Sequence, residues 1–274
     1  MPTFDLVTAG DAFDDYVFAG LPRLPRAGEE LKTPTLVRAP GGGAIITAAA
    51  AARLGLRCRT LVAIGNDAER RIAREGVRVV NLRRPGELPA MTVALSIQRD
   101  RAFVTYPGVN DRLEPRLARA VRRVSARHVH FALQPSRCRR WIPIVESLRR
   151  RGVSTSWDFG WSEPLAHDRD LARLAAAVDL LFLNAAESRL YRAIKGRTTV
   201  VKLGARGARL ERAGSRRVER AAAPRVHAVD TTGAGDVFNG AFLFAFLRGR
   251  QSGECLRIAN LAAARSTRSI GGVA

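Results

Sequence analysis

The chain has 274 residues, of which 46% are hydrophobic, enough to bury the core of one large α/β domain and ordinary for a globular protein. Its formal net charge of +21 comes almost entirely from arginine, since lysine occurs only at positions 32, 195 and 202. The arginines are dispersed and have no interleaved aromatic residues, so nucleic acid is not the expected partner. The charge should instead attract small anionic ligands over a long range.

The chain carries no sequence sign of a membrane or secreted protein. No segment reaches the roughly 18 to 20 apolar residues of a membrane span, and Met1 to Asp5 lack the basic and apolar regions of a secretory signal. Cys58, Cys138 and Cys255 are odd in number and scattered, without the spacing of a metal site or a disulfide framework. The expected location is therefore the reducing cytoplasm, without membrane contact.

In chain order, the first irregular segment is roughly 16–38, which is rich in proline and glycine. The second is 88–106, where Met91–Gln98 and Ala102–Tyr106 flank Arg99-Asp100-Arg101 in the pattern of a β-hairpin. Further on, short β-rich runs alternate with segments of helical period. The strand-like runs are 129–133, 153–157 and 180–183, and the helical ones are 141–151 and 168–177. This alternation predicts βαβ units and a mainly parallel sheet with helices on both faces.

The most informative segment is Asp230–Phe242, which reads DTTGAGDVFNGAF. Gly233, Ala234 and Gly235 come directly before an apolar stretch, 237–247, that is long enough for a buried helix. Small residues at a helix start leave the first N–H groups uncovered, and together with the helix dipole these attract anions, above all phosphate. Asp236 would repel a phosphate there, which favours a role in accepting a proton. The pattern indicates a phosphoryl-transfer site, although a bare Gly-Ala-Gly is also common as a tight turn.

The segment Asp230–Phe242 resembles, nearly residue for residue, the second signature of the ribokinase-like (PfkB) carbohydrate kinases. Residues 41–55 resemble the first signature, a diglycine followed by an Ala-rich helix that ends in Leu-Gly. Asp5–Asp15 resembles the opening strand of the family, and residues 184–187 match its Asn-x-x-Glu motif. Three further matches occur in the same order as in the family, at 63–67, 106–110 and 200–208.

This resemblance implies an α/β fold in which a central, mainly parallel sheet is flanked by helices and a small β lid covers the substrate. It implies that residues 1–274 form a single domain, with lid segments at about 16–38 and 88–106 inserted in it. The implied activity is ATP-dependent phosphoryl transfer to a hydroxyl of a sugar or sugar derivative. Lid edges sometimes pair between subunits in this family, so a monomer and a homodimer both remain open.

The resemblance also implies roles for individual residues. Asp236 matches the general base, and the backbone of Gly233, Ala234 and Gly235 matches the anion hole. The positions that match substrate contacts are Asp15, Asp11, Gly41, Gly42 and Ile46. The positions expected beside the nucleotide are Lys202, Gly204, Gly207 and Asn260, with Gly271 as a further candidate at the adenine. Asn184 and Glu187 match residues that hold Mg²⁺, here expected through water. Whether Asp230 and Thr232 help to bind a monovalent cation is left open.

Some of these positions have a plainer explanation. Asp11 is as well suited to capping a turn as to assisting Asp15. Asp158 follows a strand at a place where relatives often carry an aspartate near the phosphates, and it too could cap a turn.

Two departures from the family pattern bear on the substrate. Ile46 stands where the family has an asparagine, and Phe13 stands where ribose kinases place one. The loss of two polar contacts favours a substrate with an apolar or aromatic part, such as a nucleoside, unless Thr47 or a water molecule compensates. A nucleoside kinase is therefore the alternative function. A catalytically weak ligand-binding homologue is less favoured, because such a protein has no need of the base Asp236.

Overall fold

The computed structural model describes residues 3–97, 100–192 and 194–269, with the backbone alone at positions 100 and 101. The strands, in chain order, are β1 (Phe4–Gly10), β2 (Phe13–Leu21), β3 (Thr35–Gly41), β4 (Cys58–Val62), β5 (Val77–Asn81), β6 (Met91–Ile97), β7 (Asp100–Tyr106), β8 (Ala126–Ala132), β9 (Ser154–Asp158), β10 (Leu180–Asn184), β11 (Thr198–Lys202), β12 (Ala208–Arg212) and β13 (Val218–Ala221). The helices are α1 (Gly43–Arg53), α2 (Asn66–Arg74), α3 (Glu114–Val121), α4 (Cys138–Arg150), α5 (Glu163–Ala166), α6 (Leu171–Ala177), α7 (Ala185–Leu190), α8 (Ala234–Leu247) and α9 (Ser252–Ser266).

The larger sheet of the described residues has nine strands in the order β13-β12-β11-β10-β9-β8-β1-β4-β5. The seven strands from β11 to β5 pair in parallel, whereas β12 and β13 are antiparallel. The inner strands β1 and β10 are buried along almost their whole length, as expected when helices cover both faces. The mainly parallel α/β sheet that the alternation predicts is confirmed.

The two faces of this sheet carry separate hydrophobic cores. On one face, Phe131 and Trp157 pack against Trp141 of α4, and residues of α3 and α6 add further contacts. On the other, Phe182 packs against Phe242 of α8, together with residues of α1, α2 and α9. None of the described helices combines the length and the apolar character that a membrane span requires.

A second, smaller sheet has the strand order β3-β2-β6-β7. Strands β6 and β7 are antiparallel neighbours, although positions 98 and 99 of the predicted hairpin lie outside the described residues. Asp15 on β2 lies opposite both Ala39 on β3 and Thr92 on β6, so the three side chains share one face of the sheet. Because Asp15 is a predicted substrate contact, this face of the small sheet is expected to border the substrate.

The strand register brings several polar residues to one edge of the large sheet. Asn184 and Lys202 are partners at the ends of β10 and β11, and Asp158 ends β9 beside them. In open α/β sheets, ligands bind outside the carboxyl ends of the strands. This edge is therefore where a ligand is expected.

Candidate active site

A cavity of about 840 Å³ lies at the carboxyl ends of β9, β10 and β11, where α8 begins. Its polar wall contains Asp158, Asn184, Glu187, Lys202 and Asp236. Its other wall is apolar and is formed by Ala223, Pro224, Val226, Phe238 and Ala263. The volume is in the range of small-molecule sites, and the two walls suit a ligand with one charged end and one apolar end.

The first turn of α8 projects into this cavity. Gly233 is the residue before the helix and has a φ of 71°, a left-handed conformation that a side chain would disfavour. The N–H of Ala234 donates to Thr231 and that of Asp236 donates to Gly233. Within the described part of the chain, the N–H of Gly235 donates to no acceptor, so it is available to a ligand at the positive end of the helix dipole.

Asp236 lies between this cavity and the start of α1. A Cβ atom on Gly43 would lie 3.0 Å from its Oδ1, so the carboxyl group packs against the backbone at that glycine. Burial, and next to it the charge of Asp158, raises the pKa of Asp236 to about 7, although Lys202 acts in the opposite direction. A carboxyl group with such a pKa can take up a proton near neutral pH, as a general base must.

The ammonium group of Lys202 donates hydrogen bonds to two side chains of the site. Its Nζ donates to Asp158 Oδ2 at 2.7 Å and to Asn239 Oδ1 at 3.2 Å. Asp158 also receives a bond from Asn239 at 2.8 Å, and its other oxygen accepts from the N–H of Gly160 at 3.2 Å. Asp158 thus caps a turn and lines the cavity at the same time, so the turn cap is confirmed, and its place near the phosphates stays a prediction.

Three more residues that are predicted beside the nucleotide, Gly204, Gly207 and Asn260, line the same cavity. Gly204 and Gly207 line it with positive φ angles of 61° and 91°, and a Cβ on Gly207 would lie 2.0 Å from the carbonyl oxygen of Ala221. Asn260 also lines it, but its amide donates to the carbonyls of Ala221 and Ala222 and so holds the loop that forms the apolar wall. Gly271 lies outside the described residues.

Asp15 lines a second cavity of about 390 Å³, which extends along the small sheet to residues 229–232. A Cβ on Gly41 would lie 1.9 Å from Asp15 Oδ2, so that carboxyl group sits against the backbone of this glycine. Burial, and then the neighbouring Asp14, raises the pKa of Asp15 to about 7. Asp15 and Asp236 thus pack against Gly41 and Gly43, at the two ends of one short segment.

The other predicted substrate positions are less directly placed. Gly42 has a φ of 101°, and a Cβ atom on it would collide with the carbonyl oxygen of Asp11. The carboxyl group of Asp11 has its pKa raised to about 6, mainly by burial. Ile46 is buried in α1 and lines neither cavity. Thr47 uses its hydroxyl to donate to the carbonyl of Asp236 at 3.2 Å, which fastens α8 to α1.

Comparison with known proteins identifies the family of this chain. A family model described as pfkB family carbohydrate kinase matches residues 5–274. The chain belongs to the pfkB family. Its pfkB-type fold agrees with the solved structure of Arabidopsis thaliana ribokinase in complex with ribose and ATP, with a TM-score of 0.76 and 26% identity over 98% of this chain and 94% of that one.

Two other pfkB-family relatives have named substrates. An ATP-dependent ribose-1-phosphate kinase from Halopiger xanaduensis is 29% identical over 257 residues, which cover 87% of this chain and 83% of the relative. An aminoimidazole riboside kinase from Salmonella typhimurium is 27% identical over 247 residues, which cover 79% and 76%. The three relatives named here are thus kinases whose substrates, as their names give them, contain ribose.

The pfkB Asn-x-x-Glu motif forms the start of α7. Asn184 Oδ1 accepts from the N–H groups of Ala186 and Glu187, and the Glu187 carboxylate accepts from the N–H and the side-chain amide of Asn184. Each Glu187 oxygen accepts one bond in this capping box and keeps a lone pair for the cavity. Within the described residues, no three His, Cys, Asp or Glu side chains form a metal cluster. The donor set fits Mg²⁺, which keeps most of its waters and takes few protein ligands.

Sequence reasoning missed two contributors to this site. Asn239 is the polar exception in the apolar stretch 237–247, and that exception is the signal that could have found it. The segment 223–228 supplies most of the apolar wall, and its sequence, APRVHA, carries no recognisable motif.

Proposed function

We propose that this pfkB-family protein transfers the γ-phosphoryl group of ATP to a hydroxyl of a sugar or sugar derivative. The observation that carries the proposal is the position of Asp236. Its carboxyl group stands at the phosphate-binding end of α8, beside the larger cavity, and packs against the segment whose other end contacts Asp15. A base at this point can reach both a nucleotide and an acceptor alcohol.

On the nucleotide side, the adenine lies against the apolar wall at 223–228 and the phosphates point toward α8. The uncovered N–H of Gly235, with the neighbouring backbone at Gly233 and Ala234, donates to the transferring phosphoryl group as charge develops on it. Gly204 and Gly207 let the chain turn beside the phosphates without side chains in the way. Asn260 contributes by holding the apolar wall in place.

On the acceptor side, Asp15 accepts hydrogen bonds from sugar hydroxyls, and Gly41 and Gly42 let the sugar approach the backbone. Asp236 accepts the proton of the attacking hydroxyl, which then attacks the phosphorus in line. The small sheet acts as a lid, whose closure excludes water that would otherwise accept the phosphoryl group.

Glu187, held in place by Asn184, would bind Mg²⁺ through water, because both lone pairs of Asn184 Oδ1 are used in the capping box. Mg²⁺ would neutralise phosphate charge. Burial, and then the charge of Asp158, raises the pKa of the Glu187 carboxyl group. A nearby cation would lower that pKa again and so stabilise the ionised form. Whether Asp230 and Thr232 also bind a monovalent cation can be read from the K⁺ dependence of activity. The three cysteines are buried and free, which suits a reducing cytoplasm.

The test is ADP release from Mg-ATP with a panel of pentoses, hexoses, sugar acids, sugar phosphates and nucleosides. The wild type should turn over with one class, and Asp236→Asn should lower kcat by about 10²- to 10⁴-fold, the usual range for loss of a general base. Turnover by Asp236→Asn at nearly the wild-type rate would refute the role of the base. Absence of turnover, in protein that still binds ATP, would favour a ligand-binding homologue or a substrate outside the panel.

A nucleoside acceptor is the second candidate, and the lining of the smaller cavity favours it. Beyond Asp15 and Thr92, the cavity is bordered by apolar side chains that include Leu21, Ile97 and Phe103. Such a surface suits a heterocycle better than free water-facing hydroxyls. The Salmonella relative named for a riboside points the same way. Nucleosides that outcompete ribose by tenfold or more in kcat/KM would support this candidate.

A further inference from the structure

Three side chains form a closed triangle beneath the first turn of α8. Lys202 donates to both Asp158 and Asn239, and Asn239 donates to Asp158. Asn239 is fully buried, and the side chains of Lys202 and Asp158 are 13% and 11% exposed. Lys202 Nζ also lies 3.5 Å from the carbonyl oxygen of Gly235. A Cβ atom on Gly235 would lie 3.3 Å from the same Nζ.

The triangle connects the base to the sheet. Asn239 lies three residues after Asp236 on α8, so the two share one side of the helix. Its partners are the last residues of β9 and β11, two strands that do not neighbour each other. The helix start is therefore fixed to two points of the sheet, while Thr47 fixes it to α1 from the other side.

We infer that Asn239, with Lys202 and Asp158, is a positioning residue that fixes where Asp236 stands relative to the two cavities. The inference rests on the proposed function of Asp236 as the base. A buried ion pair is weak evidence for stability, because apolar side chains of similar volume often do as well. The ion pair and the amide of Asn239 lie at the helix turn that carries Asp236, which favours a role in positioning over a role in stability.

The ion pair also sets opposing charges near Asp236. The charged groups that face it are Asp158 on β9, Lys202 on β11 and Glu187 on α7, whereas its neighbours Gly43 and Thr47 on α1 are uncharged. Removal of Lys202 alone would leave three carboxyl groups together. Removal of Lys202 and Asp158 together would leave the net charge of the triangle unchanged.

The first experiment measures kcat and KM of Asn239→Ala. Displacement of the base predicts a fall in kcat of about 10- to 100-fold, with KM for ATP and for the acceptor within about threefold of wild type. Asn81→Ala is the matched control, because it removes hydrogen bonds to Ile64 and Glu69 at the edge strand β5. A thermal shift equal to that of the control, with wild-type kcat, would overturn the inference.

The second experiment does not depend on activity. The carboxyl resonance of Asp236, assigned with Asp236→Asn, is titrated by carbon NMR in wild type, in Lys202→Met and in the exposed control Lys195→Met. The midpoint should move to higher pH in Lys202→Met only, and should return toward wild type in Lys202→Met/Asp158→Asn. The double variant leaves neither member of the Lys202–Asp158 ion pair without its partner, so it covers the case in which Lys202→Met does not fold.

An unchanged midpoint in both variants would overturn the electrostatic part of the inference. Because the titration needs no substrate, it separates this inference from the proposed function. A shifted midpoint in a protein that shows no turnover on the acceptor panel would support the electrostatic link between the triangle and Asp236, and would count against the kinase proposal alone.

Discussion

Gly41→Ala tests the acceptor site without touching a polar side chain. The φ of Gly41 is outside the left-handed region, so alanine meets no backbone strain there. Its Cβ, however, would lie 1.9 Å from Oδ2 and 2.5 Å from Cγ of Asp15. These atoms are the end of a movable side chain, so the carboxyl group should rotate away at little cost to folding and leave its place beside the glycine.

The expected loss follows from the hydrogen bonds of that carboxyl group. A bond to a charged group contributes about 1.5–3 kcal/mol. Loss of one such bond to a sugar hydroxyl predicts a fall in kcat/KM for the acceptor of roughly 10- to 150-fold. Stability should stay level or rise by about 0.4–1 kcal/mol, because alanine restricts the unfolded chain more than glycine does.

The assay compares steady-state kinetics for the acceptor and for ATP, with the melting temperature as a check on folding. Gly253→Ala on α9 is the matched control, because its Cβ would meet Glu219 only at an ordinary 3.7 Å. KM for ATP should not change in either variant. If Gly41→Ala retains kcat/KM for the acceptor within twofold, Asp15 does not bind the acceptor as proposed.

Three further predictions follow from the same geometry. Because burial raises the pKa of Asp236 to about 7, kcat/KM should fall about tenfold per pH unit below pH 7, and up to a hundredfold if Asp15, also about 7, must be ionised; an acid limb near pH 4 in a pH–rate profile would contradict this. Gly240→Ala should destabilise the fold by about 1–3 kcal/mol, since its Cβ would lie 2.5 Å from the carbonyl of Thr47, and the melting temperature should fall by about 2–4 °C per kcal/mol; a melting temperature equal to that of Gly253→Ala would refute it. Glu187→Gln should weaken the apparent affinity for Mg²⁺ by about tenfold or more, with recovery at excess Mg²⁺; a magnesium titration equal to wild type would remove Glu187 from the metal site.

The parts of the site that the sequence predicts well are those with local causes. Gly233 precedes α8 as predicted, because the pattern of small residues before an apolar stretch acts within one helical turn. The capping box of Asn184 and Glu187 is equally local but is not among the predictions, because the motif is interpreted from the sequence only as a magnesium site. The parallel sheet is predictable for the same reason, since each βαβ unit is encoded by a short period in the sequence. The cavity at the strand ends then follows from the fold itself.

The contacts between distant residues could not be predicted in this way. Asn239 meets Asp158 across 81 positions and Lys202 across 37 positions of the chain. No spacing rule relates such residues, and only the strand register brings them together. The sequence shows Asn239 as a polar residue within an apolar run, which identifies a buried partner but does not say which residue that partner is.

The apolar surface that would favour a nucleoside does not lie where the departures from the family pattern suggest. Ile46 stands where the family has an asparagine, yet it is buried in α1, so it does not form an apolar wall for the substrate. Thr47 does not compensate toward the sugar, because its hydroxyl is directed to the backbone of Asp236. Phe13 lies on the same face of β2 as Asp15, two residues away, and the cavity beyond Asp15 is bordered by Phe103. The preference for an apolar substituent should therefore reside in the small sheet, and Phe103→Ser should lower the advantage of a nucleoside over a free pentose whereas Ile46→Asn should not restore activity on the pentose.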